Sequence, residues 1–266
     1  MVQFCTAVEA SMSNMNSELY GTKFFNNIDC GSQSSASVIL LILKEYLKIQ
    51  SAIDVGCGTG RWVQSLEGVF QAHAGQIVGM DGGYTRPWHA GLENKFIYTD
   101  LNMPFSVDSR FDFAMSLEVA EHLNESRASG FVADLCRLSS VILFSAAIPG
   151  QDGTGHVNEQ WPDYWRKEFK SNDYVMFDSI RPKIWLDERV EPWYSQNVFL
   201  FVHKNKKELI EKLDYFRIEE NDWRLKLIHP GIYRMAACES CGAGRLLRAL
   251  PGRLANSVRN RILHKS

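Results

Sequence analysis

The strongest constraint on this chain is an alternation. Short apolar, β-branched runs begin at Ser51-Ala-Ile53 and return at Gln76–Met80, Lys95–Tyr98, Phe111–Ser116 and Ser140–Ser145, with two more at Tyr174–Ile180 and Val198–His203. Stretches with helical spacing lie around them: Ser34–Lys48 with Val38, Leu41, Ile42 and Tyr46 on one face, the turns from Arg61 to Leu66, and Leu117–Leu138 with a break near Asn124. Strands alternating with helices predict right-handed crossovers and a mainly parallel sheet covered by helices on both faces. In such a sheet ligands bind beyond the carboxyl ends of the strands. The search for function therefore starts at those ends.

The first run is followed by Asp54-Val-Gly-Cys-Gly-Thr-Gly60 and then by a helix. Glycines at alternate positions let the backbone turn tightly and let a ligand approach main-chain N–H groups. A loop of this kind binds a nucleotide-like cofactor. The Gly-x-Gly-x-x-Gly spacing that places a pyrophosphate on a helix N-terminus is absent, because the third glycine comes one residue early. An acid starts the turn instead, and an acid there can meet a cationic, amino-acid-like group. Asp81 ends the second run, where a carboxylate can accept from both hydroxyls of a ribose, and Asp100 ends the third, where one can accept from an exocyclic adenine amine. A single aspartate at such a place is as readily a helix cap. A series of acids ending successive strands points to a bound cofactor.

The glycine turn and the order Asp54, Asp81, Asp100 resemble the class I S-adenosylmethionine-dependent methyltransferases over roughly residues 34–203. That resemblance implies an α/β, Rossmann-like sheet, mostly parallel with an antiparallel final strand and helices on both faces. It implies S-adenosyl-L-methionine as the cofactor. Asp54, Gly56, Cys57, Gly58 and Gly60 would hold its amino-acid end, Asp81 and Gly82 its ribose, and Asp100 and Leu101 its adenine, with Leu117 alongside.

A second constellation follows the fourth run, in Leu117-Glu-Val-Ala-Glu-His-Leu123. If helical, it places Glu118, Glu121 and His122 at i, i+3 and i+4, so two carboxylates and an imidazole share one face. Like charges that close repel unless a cation or a shared proton lies between them. Such oxygen and nitrogen donors suit magnesium, manganese or zinc. The Glu-x-x-Glu-His pattern resembles the metal-dependent O-methyltransferases of ubiquinone biosynthesis and the small-RNA 2′-O-methyltransferases, in which a further histidine completes the site. His156, in the polar stretch Pro149–Trp161, is the candidate here. Glu118, Glu121, His122 and His156 are thus the expected ligands of a divalent metal, magnesium or manganese, and Glu121, His122 and His156 the expected catalytic groups. The competing reading makes the histidines structural or general bases with no metal.

The acceptor is less constrained. Asn158, Glu159 and Trp161, then Trp165, Trp185, Trp193 and Tyr194 beside Gln196 and Asn197, give polar and aromatic groups that suit a sugar ring, although aromatics at this density more often form core. The runs Phe144–Gly150 and His156–Pro162 resemble bacterial and viral methyltransferase domains, some tied to surface-glycan synthesis. A glycan or other small hydroxylated acceptor is therefore expected, with O-methylation of a sugar hydroxyl in a polysaccharide or glycolipid as the reaction. Methylation of a quinone or phenol, RNA 2′-O-methylation, and a cofactor-binding subunit without catalysis are the alternatives. A formal net charge of −2 argues against a nucleic-acid partner.

At 266 residues the chain suits one α/β domain with additions: an arm over 1–33 that can fold over the cofactor, the methyltransferase-like domain over 34–204, and an extension over 205–266. Lys206–Phe216 has the pattern of a charged helix. From Gly242 to Ser266 there are several Arg and Lys but no Asp or Glu, and Leu246, Leu247, Leu250, Leu254, Val258 and Ile262 approximate an apolar stripe. Such a basic amphipathic helix can lie on an anionic membrane or dock a partner. Cys238 and Cys241 stand as a lone Cys-x-x-Cys, too few ligands for zinc. Scattered cysteines and the lack of a signal-like N-terminus lead to an expected cytoplasmic location.

Overall fold

A computed structural model describes residues 22–71, 76–82 and 95–241. Helix α1 (Thr22–Lys44) leads into β1 (Ala52–Val55), and α2 (Arg61–Phe70) follows the glycine turn. Strands β2 (Ile77–Asp81), β3 (Phe96–Tyr98), β4 (Phe113–Leu117) and β5 (Val141–Ser145) come next, with α3 (Ala128–Leu138) between the last two. The chain continues through α4 (Pro162–Lys170), β6 (Tyr174–Phe177), α5 (Arg181–Ile184), α6 (Pro192–Asn197), β7 (Phe199–His203), α7 (Lys207–Leu213) and α8 (Pro230–Cys241).

The strands form a 7-stranded sheet in the order β3-β2-β1-β4-β5-β7-β6. Pairing is parallel from β3 through β5, and β7 runs antiparallel to both β5 and β6. This is the expected mostly parallel sheet with a reversed final strand. Strand order turns around at β1, so the carboxyl ends of β1 and β4 open the crevice where ligands bind in open α/β sheets.

Because successive strand side chains point to opposite faces, each buried strand feeds two cores. Ala52, Ile77, Phe113, Met115 and Leu143 meet α1 and α2 through Leu40, Leu43, Val63 and Leu66. Ile53, Val55, Ala114, Ile142 and Phe144 meet α3 and α4 through Phe131, Leu135, Trp165 and Phe169. Both faces are covered.

Regular structure runs across residue 33 and resumes soon after 204. The helix expected from Ser34 begins at Thr22 and ends at Lys44, so residues on either side of 33 belong to one helix. Beyond 204, Leu213, Ile218, Leu225 and Ile232 are buried, and Ile218 N–H donates to the Met176 carbonyl at 2.9 Å along β6. Leu213 joins the core shared with α1 and α2, and Ile218 and Leu225 join the one shared with α3 and α4. The basic stripe of 242–266 and the side chains of Cys238 and Cys241 lie outside the described residues, as does the arm before residue 22. No helix among the described residues is long and apolar enough to cross a membrane.

Candidate functional site

The glycine turn folds as its residue types demand. Gly56, Gly58 and Gly60 have φ of 82°, 54° and 88°, a region that strains residues with a Cβ. Gly56 is also a place of close approach: a Cβ there would lie 2.3 Å from Val119 Cγ2. The turn is tied to β2, since Gly56 and Cys57 N–H both donate to the Met80 carbonyl at 2.7 and 3.2 Å. Asp81 braces it from below, its Oδ2 accepting from Gly58 N–H at 2.7 Å and its Oδ1 from Gly82 N–H at 2.6 Å.

Asp54 and Asp81 are both buried at this turn. Burial, and then the neighbouring Asp81 charge, push the Asp54 carboxyl well above the usual carboxylate range. Asp54 Oδ2 meets no hydrogen-bond donor among the described residues. Two like charges and an unpartnered acceptor form a place that a cationic group satisfies. The Cys57 thiol is raised too, by burial and then by both aspartates, so it stays protonated and packs as an apolar group.

Asp100 is exposed after β3, and its Oδ1 accepts from Asn102 N–H at 3.0 Å and Asn102 Nδ2 at 3.2 Å. It therefore shapes its own loop as well as ending a strand. Leu101 beside it is buried, and Leu117 is buried where β4 ends.

The Glu-x-x-Glu-His stretch does not continue as the expected helix. Glu118 takes φ 55°, in the left-handed region, and Ala120–His122 form a single 3-10 turn. Glu118 N–H donates to the Ser145 carbonyl and hydroxyl at 3.1 and 3.0 Å, which turns the residue away at the strand's end. Its carboxylate is taken by carboxamides: Asn197 Nδ2 donates to both oxygens at 3.1 and 3.3 Å, and Gln151 Nε2 donates to Oε2 at 3.0 Å. Burial raises its pKa, while bonds from Ser145, Asn197 and Gln151 pull it back. The expected shared face of Glu118, Glu121 and His122 is thus divided by one left-handed residue.

The division leaves a different group together. Glu121, His122 and His156 each bring one donor atom to within 4.8 Å of the others. The two imidazoles meet edge to face with centroids 4.8 Å apart. His156 arrives because Val157 and Asn158 N–H both donate to the Glu121 carbonyl, at 2.8 and 3.0 Å. Gly153 leaves room for it, since a Cβ there would fall 2.3 Å from His156 Nε2. His156 Nδ1 bonds Glu159 Oε1 at 2.8 Å, and Glu159 Oε2 accepts from Gly150 N–H at 2.8 Å. The i, i+3 spacing of His156 and Glu159 was the signal for that pair; sequence reasoning had read His156 as a metal ligand and catalytic group and had placed only Glu159 against the acceptor.

Glu121 is fully buried, and neither carboxylate oxygen meets a donor in hydrogen-bond geometry among the described residues. Burial, followed by the Glu118 charge, holds its pKa well above normal, and the nearby Glu121 and Ala147 amides only partly offset this. The His122 pKa is lowered to about 4 by burial and then by His156, with the Gly155 carbonyl pulling upward. His122 is therefore neutral at pH 7, as a metal ligand or proton acceptor must be.

In metal-free protein the shift has a measurable sign. The folded state binds this proton only near pH 4, against 6.5 for an ordinary histidine. Stability from His122 is complete above pH 6.5 and is lost as pH falls toward 4, by up to about 3 kcal/mol. Denaturant unfolding across that interval should show the decline in the parent and lose this part of it in His122→Gln. Parallel pH profiles for the two proteins would refute the assignment.

The aromatic platform expected for a sugar is mostly core. Trp165 and Tyr194 are buried, and the Tyr194 hydroxyl accepts from Trp62 Nε1 at 3.3 Å. Trp185 and Trp193 are half-buried, and of the five aromatics proposed Trp161 alone is exposed, at 39%. Gln196 is occupied as well, donating to the Leu227 carbonyl at 3.0 Å and accepting from His229 N–H at 2.6 Å.

No protein-family model matches the chain, and no curated protein matches its sequence. Among solved structures, the DhpI–SAH complex aligns with 73% of this chain and 95% of its own at a TM-score of 0.50 and 17% identity. The methyltransferase domain of bacterial CtHen1-C covers 64% of this chain and 97% of its own, with a TM-score of 0.46 and 18% identity. Magnesium protoporphyrin IX methyltransferase from Synechocystis, with bound SAM, covers 70% and 88% at a TM-score of 0.47 and 16% identity. Seven strands in this order, with β7 reversed and a glycine turn after β1, give this chain the Rossmann-like class I methyltransferase fold.

Proposed function

We propose that this protein is an S-adenosylmethionine-dependent O-methyltransferase, assisted by a divalent metal, acting on a sugar hydroxyl of a polysaccharide or glycolipid. The observation that carries the metal-assisted reading is the Glu121 carboxylate, fully buried, with neither oxygen in hydrogen-bond geometry to a donor among the described residues, and grouped with two imidazoles. One carboxylate and two imidazoles form a donor set that suits manganese or another divalent transition metal better than magnesium, which favours oxygen. Glu121, His122 and His156 would hold it, and Glu118, bound by Asn197 and Gln151, would not. A bound cation of this kind lowers the pKa of a hydroxyl on it.

Asp54 and the Gly56–Gly60 main chain suit the cofactor's amino-acid end, because Asp54 Oδ2 has no donor among the described residues and sits beside a second buried acid. Asp81 and Gly82 suit the ribose, and Asp100 with Leu101 the adenine. Bound S-adenosylmethionine supplies an electrophilic methyl on a sulfonium. The residues' task is alignment and proton transfer, since holding nucleophile and methyl in line supplies much of the acceleration of a displacement. Val119 packs on Gly56 and so fixes the 3-10 turn carrying Glu121 and His122 against the cofactor loop. With a metal held there, His156 would bind it through Nε2 while Glu159 on Nδ1 fixes the ring; in the competing metal-free reading the same Nε2 would take the hydroxyl proton.

Support for a sugar acceptor is the polar stretch from Gly150 to Trp161, which carries both His156 and the exposed Trp161 ring. The test is turnover to S-adenosylhomocysteine with rhamnose-type glycans, RNA and catechols, run with and without chelator and with manganese or magnesium restored. Glycan-dependent turnover lost on chelation supports the reading. Turnover that survives chelation leaves histidine base catalysis, and turnover with RNA or catechol alone removes the glycan.

Glu159 gives a separate check. Carboxylates behind a ligating histidine contribute about 10- to 100-fold to metal affinity, so Glu159→Gln should weaken manganese binding by that range and leave S-adenosylhomocysteine binding unchanged. Unaltered manganese affinity would show that the His156–Glu159 bond only shapes the loop.

A further inference from the structure

The loop after β3 is fastened to α3 by a buried ionic cluster that the cofactor site does not itself contain. Arg127, which precedes α3 and is 9% exposed, donates from Nε to the Leu101 carbonyl at 3.1 Å and from an Nη to the Met103 carbonyl at 3.0 Å. It also pairs with Asp134, which is 3% exposed. Asp134 accepts from Phe105 N–H at 3.2 Å, and Arg137, paired with Asp134 as well, donates to the Phe105 carbonyl at 3.2 Å. The Arg127 guanidinium lies 5.8 Å from the Phe105 ring centroid and 5.7 Å from that of Phe131. Leu101, Met103 and Phe105, every second residue of the loop, are therefore pinned through main-chain atoms toward α3. Asp100 and Asn102 alternate with them, bonded to each other on the other side of the loop.

A buried cluster that bonds main chain rather than side chains fixes a backbone path, and it does so with groups costly to bury for packing alone. The path it fixes is the one carrying Asp100 and Leu101. We infer that Arg127, itself held by Asp134, is a positioning residue that sets the adenine specificity of the cofactor site by fixing the main-chain path of Asp100 and Leu101. The inference rests on the cofactor reading above and adds to it the device that makes Asp100 selective. Arginine is required at this place because its fork reaches two carbonyls and a carboxylate together, which a lysine ammonium on a flexible stem does not.

The test compares S-adenosylhomocysteine with S-inosylhomocysteine, in which the exocyclic amine is replaced by a carbonyl, by calorimetric titration of the full chain. The parent should prefer the adenine ligand by about tenfold or more, the effect of leaving a hydrogen-bonding carboxylate without its donor. Arg127→Lys should lower affinity for S-adenosylhomocysteine and bring the two ligands' ratio toward one, with the inosine ligand little changed. Arg137→Ala, at a side chain 57% exposed, keeps the buried pair and should reduce the ratio by less, which preserves the test if Arg127→Lys does not fold. Equal losses for both ligands, or an unchanged ratio in both variants, would make the cluster a structural staple and overturn the inference. A parent that binds neither ligand removes the cofactor reading, and the inference with it. A parent that binds both equally removes the inference alone.

Discussion

Glu121→Gln is expected to abolish manganese binding and to lower turnover by about 10²- to 10⁴-fold, the range for losing an activated proton acceptor, with the dissociation constant for S-adenosylhomocysteine unchanged. Glutamine keeps the shape of Glu121 but removes its charge, at a position where the carboxylate is fully buried and neither oxygen has a donor in hydrogen-bond geometry among the described residues. Burial already penalises a charged Glu121 when no metal is bound, so the metal-free variant should melt at the parent's temperature or above it. Loss of activity without loss of stability is the mark of a group kept for a ligand. His156→Ala should give a similar loss of turnover, again sparing cofactor binding. Glu118→Gln is the control: with its carboxylate bound by Asn197 and Gln151, manganese affinity should remain near that of the parent. Titration of manganese followed by its paramagnetic resonance reads all three. Equal loss in Glu118→Gln would return that residue to the ligand set, and retained manganese in Glu121→Gln would remove the proposed centre.

Gly56→Ala should strike the cofactor loop and the metal cluster together. At φ 82° an alanine bears roughly 1–2 kcal/mol of backbone strain, and its Cβ would lie 2.3 Å from Val119 Cγ2 and 2.8 Å from Cγ1. Either the loop or Val119 must shift, and Val119 joins Glu118 to the turn bearing Glu121 and His122. Affinity for S-adenosylhomocysteine should fall at least about tenfold, the equivalent of 1.4 kcal/mol, and manganese affinity should fall with it. Adding Val119→Ala should recover the part due to the clash and leave the part due to strain. A single variant that binds both ligands as the parent does would show that the close approach at Gly56 has no functional weight.

How far these residues were legible without coordinates depends on the range of the interaction that places them. The strands and the glycine turn follow from local chemistry: β-branched runs, alternating glycines and the β/α alternation each write their geometry into adjacent residues, whereas the reversed last strand was implied only by the family resemblance. That Asp54 and Asp81 lie near strand ends was legible for the same reason, since the end of a strand is visible in sequence. The shared helical face expected for Glu118, Glu121 and His122 failed because i, i+3, i+4 spacing carries meaning only if the helix is real. A left-handed φ at a glutamate has no local signature, and it is enforced here by Ser145 from β5. Trp165 and Tyr194 were candidates for the acceptor because burial is a property of the whole packed sheet.

By itself, then, the sequence determined the α/β class, the crevice at the ends of β1 and β4, and the residue types available there. Tertiary structure decided which of those side chains meet. It separated Glu118 from Glu121, brought His156 across to His122 through bonds to one carbonyl, set Glu159 behind it, and fastened the loop of Asp100 to α3 through Arg127 and Asp134. The physical reason is that periodicity records only near neighbours along the chain, whereas a buried carboxylate is satisfied by whichever distant donors the fold carries to it.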